Sequence, residues 1–310
     1  MDNIICVVGP TASGKTALAV ELAKERNGEV ISCDSMQIYK RMNIGTAKPT
    51  LEEMQGIPHH MIDIIEPTED FSVSKYCAMA TPIVEDVLSR GKTAVICGGT
   101  GLYADALIKG NDFAPFPATG CREKLEKRWQ EEGIEVLREE LRQVDPEALE
   151  RSQGNPRRIL RALEVWQETG ETITAHNLRT QAIPPKFTAQ WLAIDYVNRQ
   201  DLYDRIDLRV HVMIREGLLD EIRSLLAEGI PENATAMQAI GYKEFVDALA
   251  GRATLEEAIA SLQQSSRRYA KRQLTWFKRN PQVRWLRRDA GTTGEEILSL
   301  ARQALNNFDK

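Results

Sequence analysis

Residues 9–16 read GPTASGKT and fit G-x-x-x-x-G-K-[ST], the pattern of a phosphate-binding loop. Gly9 and Gly14 allow backbone N–H groups to close around phosphate oxygens, and the following helix adds positive potential at its N-terminus. Lys15 supplies a positive charge, and the Thr16 hydroxyl is an expected Mg²⁺ ligand. The remaining loop residues are Pro10, Thr11, Ala12 and Ser13. The motif predicts a site for a polyphosphate and a magnesium ion.

Asp34 is the acidic residue that we expect beside this loop. An NTP hydrolase usually carries a second apolar strand that ends in Asp or Glu, but TAVIC at residues 93–97 runs into GGTG. The strand that does end in an acid is VISCD, residues 30–34. Because ligands bind outside the carboxyl ends of parallel strands, Asp34 is predicted to face the phosphates. A small-molecule kinase could use such an acid to activate a hydroxyl and stays an alternative.

The motif PHHMID, residues 58–63, raises the question of a metal site. Adjacent histidines such as His59 and His60 point in divergent directions, and no third strong ligand follows Asp63 at a metal spacing. We expect this motif to shape a loop.

Alternating strands and helices must position these residues. Apolar runs at 3–9, 29–34 and 93–98 are typical of buried strands, and helical patterns lie between and after them. This alternation predicts an α/β fold of the P-loop NTPase-like type, a parallel sheet flanked by helices.

A polar helical stretch from about Asp112 to about Pro185 interrupts this pattern, and TAQWLAIDY then returns as a strand. Within the stretch, Asn155 with Pro156 predicts a helix start and Gly170 a helix end. We therefore divide the chain into a first part of the catalytic core (1–111), a helical insertion domain (112–186) and a second part of the core (187–310).

Composition limits the class of protein. The 310 residues carry a net charge of −5, and the five cysteines form no CxxC pair. No apolar run approaches the length of a membrane span, and the N-terminus enters a strand at once, which leaves no room for a signal peptide. We expect a cytoplasmic monomer that makes no contact with a membrane.

Two regions of the chain are strongly basic although the chain as a whole is acidic. Residues 265–288 contain nine Lys or Arg and no acid, with aromatic residues interleaved. The positions that share helical stripes are Arg267, Arg268, Lys271, Arg272, Lys278 and Arg279. A second cluster, Arg157, Arg158 and Arg161, lies on the insertion. We expect both to contact nucleic-acid phosphates.

Taken in order, the motifs of this chain closely resemble those of the bacterial tRNA dimethylallyltransferases. They are GPTASGKT, DSMQIY, NIGTAKPT, IPHHMID, FSVSKY, GGTGLY, RRILRALEV, AIGYKE and RRYAKRQLTWF, and they span residue 4 to about 280. The resemblance implies transfer of a dimethylallyl group from dimethylallyl diphosphate to the N6 amine of the adenosine just 3′ of the tRNA anticodon, with Mg²⁺. The phosphate loop would then hold the diphosphate that leaves.

The resemblance also implies roles for single residues. Asp34 matches the general base, and Thr100 in GGTGLY matches a residue that meets donor or tRNA, although its hydroxyl could instead cap the helix that follows. Lys15 matches a catalytic position in the loop. Arg209 is either a diphosphate contact or part of a surface salt bridge.

For tRNA, the resemblance implies contacts by Arg122, Arg157, Arg158 and Arg161, and the basic run predicts further contacts by Arg267, Lys271 and Arg272. Ser35, Met36 and Gln37 would line a channel for a flipped-out adenosine. Gln37 could hydrogen-bond an adenine edge or the backbone. Two basic patches on separate domains suggest a clamp around the anticodon stem-loop.

Besides the kinase, two alternatives remain. A prenyltransferase acting on free adenine nucleotides would not need the two basic patches. A P-loop protein that binds RNA without catalysis would not need Asp34 and Thr100.

Overall fold

A computed structural model of the chain describes residues 3–110 and 119–306. Its strands are β1 (Ile4–Val8), β2 (Gly28–Ser32), β3 (His59–His60), β4 (Thr93–Gly98), β5 (Gln190–Tyr196) and β6 (Val283–Arg288). They form one sheet in the order β3-β2-β4-β1-β5-β6, and every pairing is parallel. The predicted parallel sheet is confirmed.

The helices follow in chain order. They are α1 (Lys15–Glu25), α2 (Leu51–Met54), α3 (Val73–Ser89), α4 (Gly101–Lys109), α5 (Cys121–Glu132), α6 (Ile134–Val144), α7 (Pro146–Ser152), α8 (Pro156–Thr169), α9 (Ile173–Gln181), α10 (Arg199–Arg215), α11 (Leu218–Ala227), α12 (Lys243–Leu249), α13 (Leu255–Phe277) and α14 (Gly294–Asn306). In the described part of the chain, no helix combines the length and the apolar character that crossing a membrane requires.

Helices cover both faces of the sheet because successive strand side chains point to opposite sides. Cys6 and Val8 of β1 pack into a core with residues of α3, α4 and α13. Ile5 and Val7 pack into a second core with α1 and α14. A third core joins α10, α11, α12 and the start of α13 beside the sheet.

Contacts divide the chain into two compact units, Met1–Gly110 with Lys186–Lys310, and Asn111–Pro185. The second unit contains α5 to α9 around a leucine-rich core of its own. In α8 the Asn155 side chain accepts a hydrogen bond from the Arg157 N–H, Pro156 is the first helical residue, and Gly170 ends the helix in a left-handed conformation. These predicted helix boundaries are confirmed.

Glu29 of β2 is a buried carboxylate at the amino end of the sheet. It accepts hydrogen bonds from Arg90 Nη2 at 2.9 Å, Lys92 Nζ at 2.7 Å and His60 Nε2 at 2.8 Å. His59 Nδ1 instead donates to the carbonyl oxygen of Ile57. Among the described residues, no group of three potential ligands of the His, Cys, Asp or Glu type could hold a metal ion. The two histidines therefore serve loop and strand structure.

Replacing Glu29 with glutamine is expected to destabilise the fold in a pH-dependent manner. Hydrogen bonds from Arg90, with those from Lys92 and His60, hold the pKa of Glu29 well below its usual range. The carboxylate therefore stabilises the fold above about pH 4.3, the pKa of an ordinary glutamate, and this contribution is lost as pH falls further. The free energies of unfolding of Glu29→Gln and wild type, measured with urea, should differ most near neutral pH and become equal in acid. Glu21→Gln, which loses one exposed ion pair, should match wild type throughout.

Candidate active site

The phosphate loop connects the end of β1 to the first residue of α1, as its motif predicts. Gly9 and Gly14 have φ of 144° and 90°, conformations that glycine adopts at little cost. The hydroxyl of Ser13 is buried and has no hydrogen-bond partner among the described residues. A phosphate oxygen in the loop would satisfy this donor.

Cationic side chains hold the carbonyl oxygens of the loop. Arg205 Nε donates to the Ala12 oxygen and Arg288 Nη1 to the Ser13 oxygen, both at 3.2 Å. A carbonyl oxygen that is bonded to a cation repels a bound phosphate less. The two arginines therefore prepare the loop for an anion.

Lys15 and Thr16 line a cavity of about 500 Å³, here called the phosphate-loop cavity. Its other polar walls include Asn43, Lys48, Arg205 and Arg209. Burial lowers the pKa of Lys15. A bound diphosphate would reverse part of this effect, since an adjacent anion favours the charged amine.

Asp34 follows β2 at the same edge of the sheet. Its Oδ1 accepts a hydrogen bond from the Met36 N–H at 2.9 Å, which orients the carboxylate. A small cavity of about 60 Å³ is lined by Lys15, Thr16, Asp34 and Arg209, among others, and shares Lys15, Thr16 and Arg209 with the phosphate-loop cavity. The structure thus brings the predicted base and the predicted phosphate ligands to one space.

On the other side, Asp34 lines an apolar cavity of about 250 Å³. Ser35 and Met36 contribute to its wall, as predicted for the acceptor channel. Aliphatic side chains form much of the remainder, namely Ile206, Val210, Met213, Ile240 and Leu262. Such a space suits a flat base or a short hydrocarbon group.

Thr100 does not use its hydroxyl to cap α4. The hydroxyl accepts a hydrogen bond from the Ser35 N–H at 3.1 Å and donates to Ser35 Oγ at 3.3 Å. Tyr269 of α13 also bonds to Thr100, and burial raises the pKa of this tyrosine. The capping alternative is therefore wrong, and Thr100 ties the turn after β4 to the turn that carries Asp34.

Arg209 of α10 lines all three cavities. Its Nη1 donates to Thr11 Oγ1 at 3.3 Å, and no described carboxylate lies within ion-pair distance of it. Burial lowers its pKa, with Asp34 opposing this effect. The surface-salt-bridge alternative is therefore wrong for the described chain. The guanidinium of Arg209 could bind an anion without first losing a carboxylate partner.

Gln37 uses both ends of its amide inside the protein. Its Oε1 accepts from Ser32 Oγ at 3.0 Å, and its Nε2 donates to the carbonyl oxygens of Thr46 at 3.4 Å and Ala47 at 3.1 Å. Of the two predicted hydrogen-bond partners of Gln37, an adenine edge and the backbone, the structure shows the backbone. Contact with an adenine would require these bonds to break.

Gln273 of α13 is a site residue that the sequence analysis missed. It is buried, its Oε1 accepts from the Thr11 N–H at 2.9 Å, and its Nε2 donates to the Gly99 oxygen at 2.9 Å. One side chain thus joins the phosphate loop to the turn that carries Thr100. Gln273 lies four residues from both Tyr269 and Phe277 and therefore on the same face of the helix. A polar residue on this otherwise apolar face was the signal that the sequence offered.

The basic run of residues 265–288 does not form one surface. Arg268, Lys271 and Arg272 are exposed on α13, whereas Arg267 forms an ion pair with Asp207 (Nη1 to Oδ2, 2.7 Å). On β6, Arg287 pairs with Asp195 at 2.8 Å. Exposed cations of this run therefore lie on α13 and the residues just after it, and also on β6, where Arg287 is exposed but paired.

In the helical unit, several of the predicted RNA contacts are bonded within that unit. Arg122 pairs with Glu126 at 2.8 Å, and Arg161 pairs with Glu164 at 2.9 Å. Arg158 Nη1 donates to the carbonyl oxygen of Arg151 at 3.2 Å. Arg157 is exposed. These weak surface pairs would be exchanged for phosphates at small cost.

Two family profiles match this chain. Residues 37–280 match the family described as IPP transferase, and residues 2–67 match that described as isopentenyl transferase. A curated tRNA dimethylallyltransferase of Acetivibrio thermocellus is 42% identical, with 99% of each chain covered. One of Caldanaerobacter subterraneus is 47% identical, with 95% of each chain covered.

Solved structures agree in fold. The tRNA isopentenylpyrophosphate transferase of Bacillus halodurans is 41% identical, with a TM-score of 0.74, and the match covers 99% of this chain and 98% of the other. A eukaryotic dimethylallyltransferase, solved acting on tRNA, is 28% identical with a TM-score of 0.79. That match covers 98% of this chain and 79% of the other.

Replacing Gln273 with leucine should loosen the phosphate loop. The change leaves the Thr11 N–H and the Gly99 oxygen unpaired, at a cost of about 2–4 kcal/mol in the free energy of unfolding. Calorimetry with inorganic pyrophosphate should show binding weakened ~10-fold, since the loop is less ordered. Gln264→Leu, at an exposed position of the same helix, should leave both quantities unchanged. If both variants have the same stability and the same affinity for pyrophosphate, Gln273 does not support the phosphate loop.

Proposed function

The chain belongs to the IPP transferase family, and we propose that it transfers a dimethylallyl group from dimethylallyl diphosphate to the N6 amine of the adenosine immediately 3′ of the tRNA anticodon. It is an enzyme that prenylates tRNA.

One observation carries the proposed chemistry. Asp34 and the phosphate-loop residues Lys15 and Thr16 line one small cavity, which shares lining residues with both the phosphate-loop cavity and the apolar cavity. A donor whose diphosphate lies in the phosphate-loop cavity would present its allyl carbon toward Asp34. An adenine in the apolar cavity would present its amine to the same carboxylate.

The reaction then needs one proton acceptor and one stabilised leaving group. The N6 lone pair forms a bond to the first carbon of the allyl group, while the bond from that carbon to the diphosphate oxygen breaks. The electron pair of that bond leaves with diphosphate, and the amine proton goes to Asp34. A positioned base of this type contributes about 10²–10⁴ in rate.

Cationic groups stabilise the charge on the leaving diphosphate. Lys15 and Arg209 line the cavity that would hold the diphosphate, so they and the loop N–H groups would stabilise this charge. Loss of one such donor commonly costs about 3 kcal/mol in the barrier. Ser13 supplies a hydroxyl that has no other partner. Thr100 would act through its bonds to Ser35, which keep the neighbouring Asp34 in place.

The residues present fit a magnesium ion held largely by the donor. Mg²⁺ usually keeps several waters and binds through one or two protein oxygens together with substrate phosphates. Thr16 lines the phosphate-loop cavity and offers one such oxygen. When bound, the ion would neutralise charge on the diphosphate.

tRNA would be held by exposed cations. Lys271 and Arg272 on α13 and Arg157 on α8 are exposed, and the paired Arg122, Arg158, Arg161 and Arg267 would contribute after exchange of partners. The target adenosine must leave its stack to bring its amine to Asp34. Ser35 and Met36 would then contact the flipped base in the apolar cavity.

Replacing Asp34 with asparagine is expected to lower kcat by ~10²–10⁴ because the amine proton has no acceptor. The Oδ1 acceptor for the Met36 N–H is kept, so affinities for donor and tRNA should change little. Transfer of labelled dimethylallyl groups to unmodified tRNA, with Mg²⁺, measures this, and Asp204→Asn at an exposed site is the matched control. Lost binding with retained kcat would exclude Asp34 as the base.

The same assay with AMP and ATP as rival acceptors tests the function as a whole. Label on tRNA alone supports the proposal. Label on free nucleotide would assign the protein to the nucleotide prenyltransferases, and consumption of the ATP γ-phosphate without transfer would make it a kinase.

Removing an unpaired cation should change the salt dependence of tRNA binding more than removing a paired one. Lys271→Gln should reduce the slope of log affinity against log salt by about 0.7–1, since one fewer counterion is released. Arg267→Gln should reduce it less, because Asp207 already neutralises this arginine. Filter binding over a salt series measures both. Equal slopes for the two variants would contradict the assignment of Lys271 as a phosphate contact.

A further inference from the structure

The motif NIGTAK, residues 43–48, forms a loop without helix or strand that contributes to the walls of all three cavities. Asn43, Ile44, Ala47 and Lys48 face the phosphate-loop cavity, and Gly45 and Thr46 face the apolar one. The position of this loop therefore sets the shape of the space beside the phosphate loop.

A single carboxylate holds the first half of the loop. Glu221 of α11 accepts hydrogen bonds from three successive backbone N–H groups, at 2.8 Å from Asn43, 2.9 Å from Ile44 and 3.2 Å from Gly45. Tyr242 donates its hydroxyl to the same carboxylate at 2.6 Å. Both carboxylate oxygens thus accept two bonds each, and hydrogen bonds to an ionised acceptor are among the stronger ones.

Tyr242 also fixes the loop by contact. Its side chain is fully buried, and a Cβ on Gly45 would lie 2.4 Å from its ring. Gly45 therefore has to be glycine because the loop backbone runs against this ring. The motif AIGYKE, which carries Tyr242, thus meets the motif NIGTAK through this contact and through Glu221.

The second half of the loop is held from a different side. Lys48 Nζ donates to the Tyr39 oxygen at 2.7 Å and pairs with Asp63. Gln37 donates to the carbonyl oxygens of Thr46 and Ala47. Loss of Glu221 would therefore free residues 43–45 while the turn near Asp34 keeps its own contacts.

We propose that Glu221 is a positioning residue that holds the loop 43–48 against the phosphate-loop cavity and thereby sets the affinity for the donor diphosphate. This role rests on the proposed function, because it requires the donor to occupy that cavity. Glu221 itself lines none of the three cavities and acts through the loop N–H groups. Tyr242 supports it by ordering the same carboxylate.

Steady-state kinetics of Glu221→Gln test this role. Glutamine keeps the size of the side chain but replaces one carboxylate oxygen with an NH₂ group. Two of the four groups that now donate to the carboxylate would then face another donor. We expect the KM for dimethylallyl diphosphate to rise ~10-fold or more. The kcat at saturating substrates should stay within about 3-fold of wild type, and tRNA affinity measured without donor should not change.

Three further variants complete the test. Glu221→Asp keeps the charge and should recover part of the donor KM. Tyr242→Phe removes one of four donors and should raise the donor KM by only ~2–3-fold. Asp220→Asn, one residue away and paired with Arg223, should behave as wild type.

Hydrogen exchange provides an independent readout. The amides of residues 43–45 should exchange faster in Glu221→Gln, whereas amides of β1, β2 and β4 should keep their protection. An unchanged donor KM, or a loss of tRNA affinity equal to the rise in donor KM, would overturn the proposal. If Glu221→Gln does not fold, Tyr242→Phe must still show faster exchange at Gly45 and a raised donor KM for the proposal to hold. A wild-type enzyme without transfer activity would instead refute the proposed function.

Discussion

The parallel direction of β1, β2 and β4 is the constraint on which the site depends. Val8 pairs with Gly98 and Ser32 with Cys97, so the three strands end level with one another. The phosphate loop, the turn of Asp34 and the turn of Thr100 therefore begin at one edge of the sheet. Antiparallel pairing of any one strand would send its turn to the opposite edge, more than a strand length away.

The long helix α13 presents different residues on its two faces. Gln273 and Tyr269 face inward and hold the phosphate loop and Thr100. Lys271 and Arg272 face solvent, where RNA phosphates would reach them. Because Gln273 bonds to both Thr11 and Gly99, this helix is tied to the phosphate loop and to the turn of Thr100.

Much of the fold and part of the candidate site could be predicted from local pattern. The phosphate loop has a fixed spacing, and Asp34 ends a clearly apolar run, so both follow from a few neighbouring residues. The backbone was one of two predicted partners of Gln37. Which residues bond to Thr100, Arg209 and Gln37 could not be predicted, because those residues belong to other segments of the chain. Gln273 was missed because its polar partners are backbone groups of turns that lie far from it in the chain.

By itself, the sequence determined the alternation of buried strands and helices, the phosphate loop, the acid beside it and the basic residues of α13. Those features depend on residues close together in the chain, where spacing and polarity carry the information. The sequence did not predict β3, which lies within the motif that was expected to shape a loop. Tertiary structure alone decided which cations are free and which are paired, as Arg267 and Lys271 show. It also decided that Glu221 holds a loop that lies 176 to 178 residues away in the chain. Such contacts follow from how packed elements approach one another, and no local spacing encodes them.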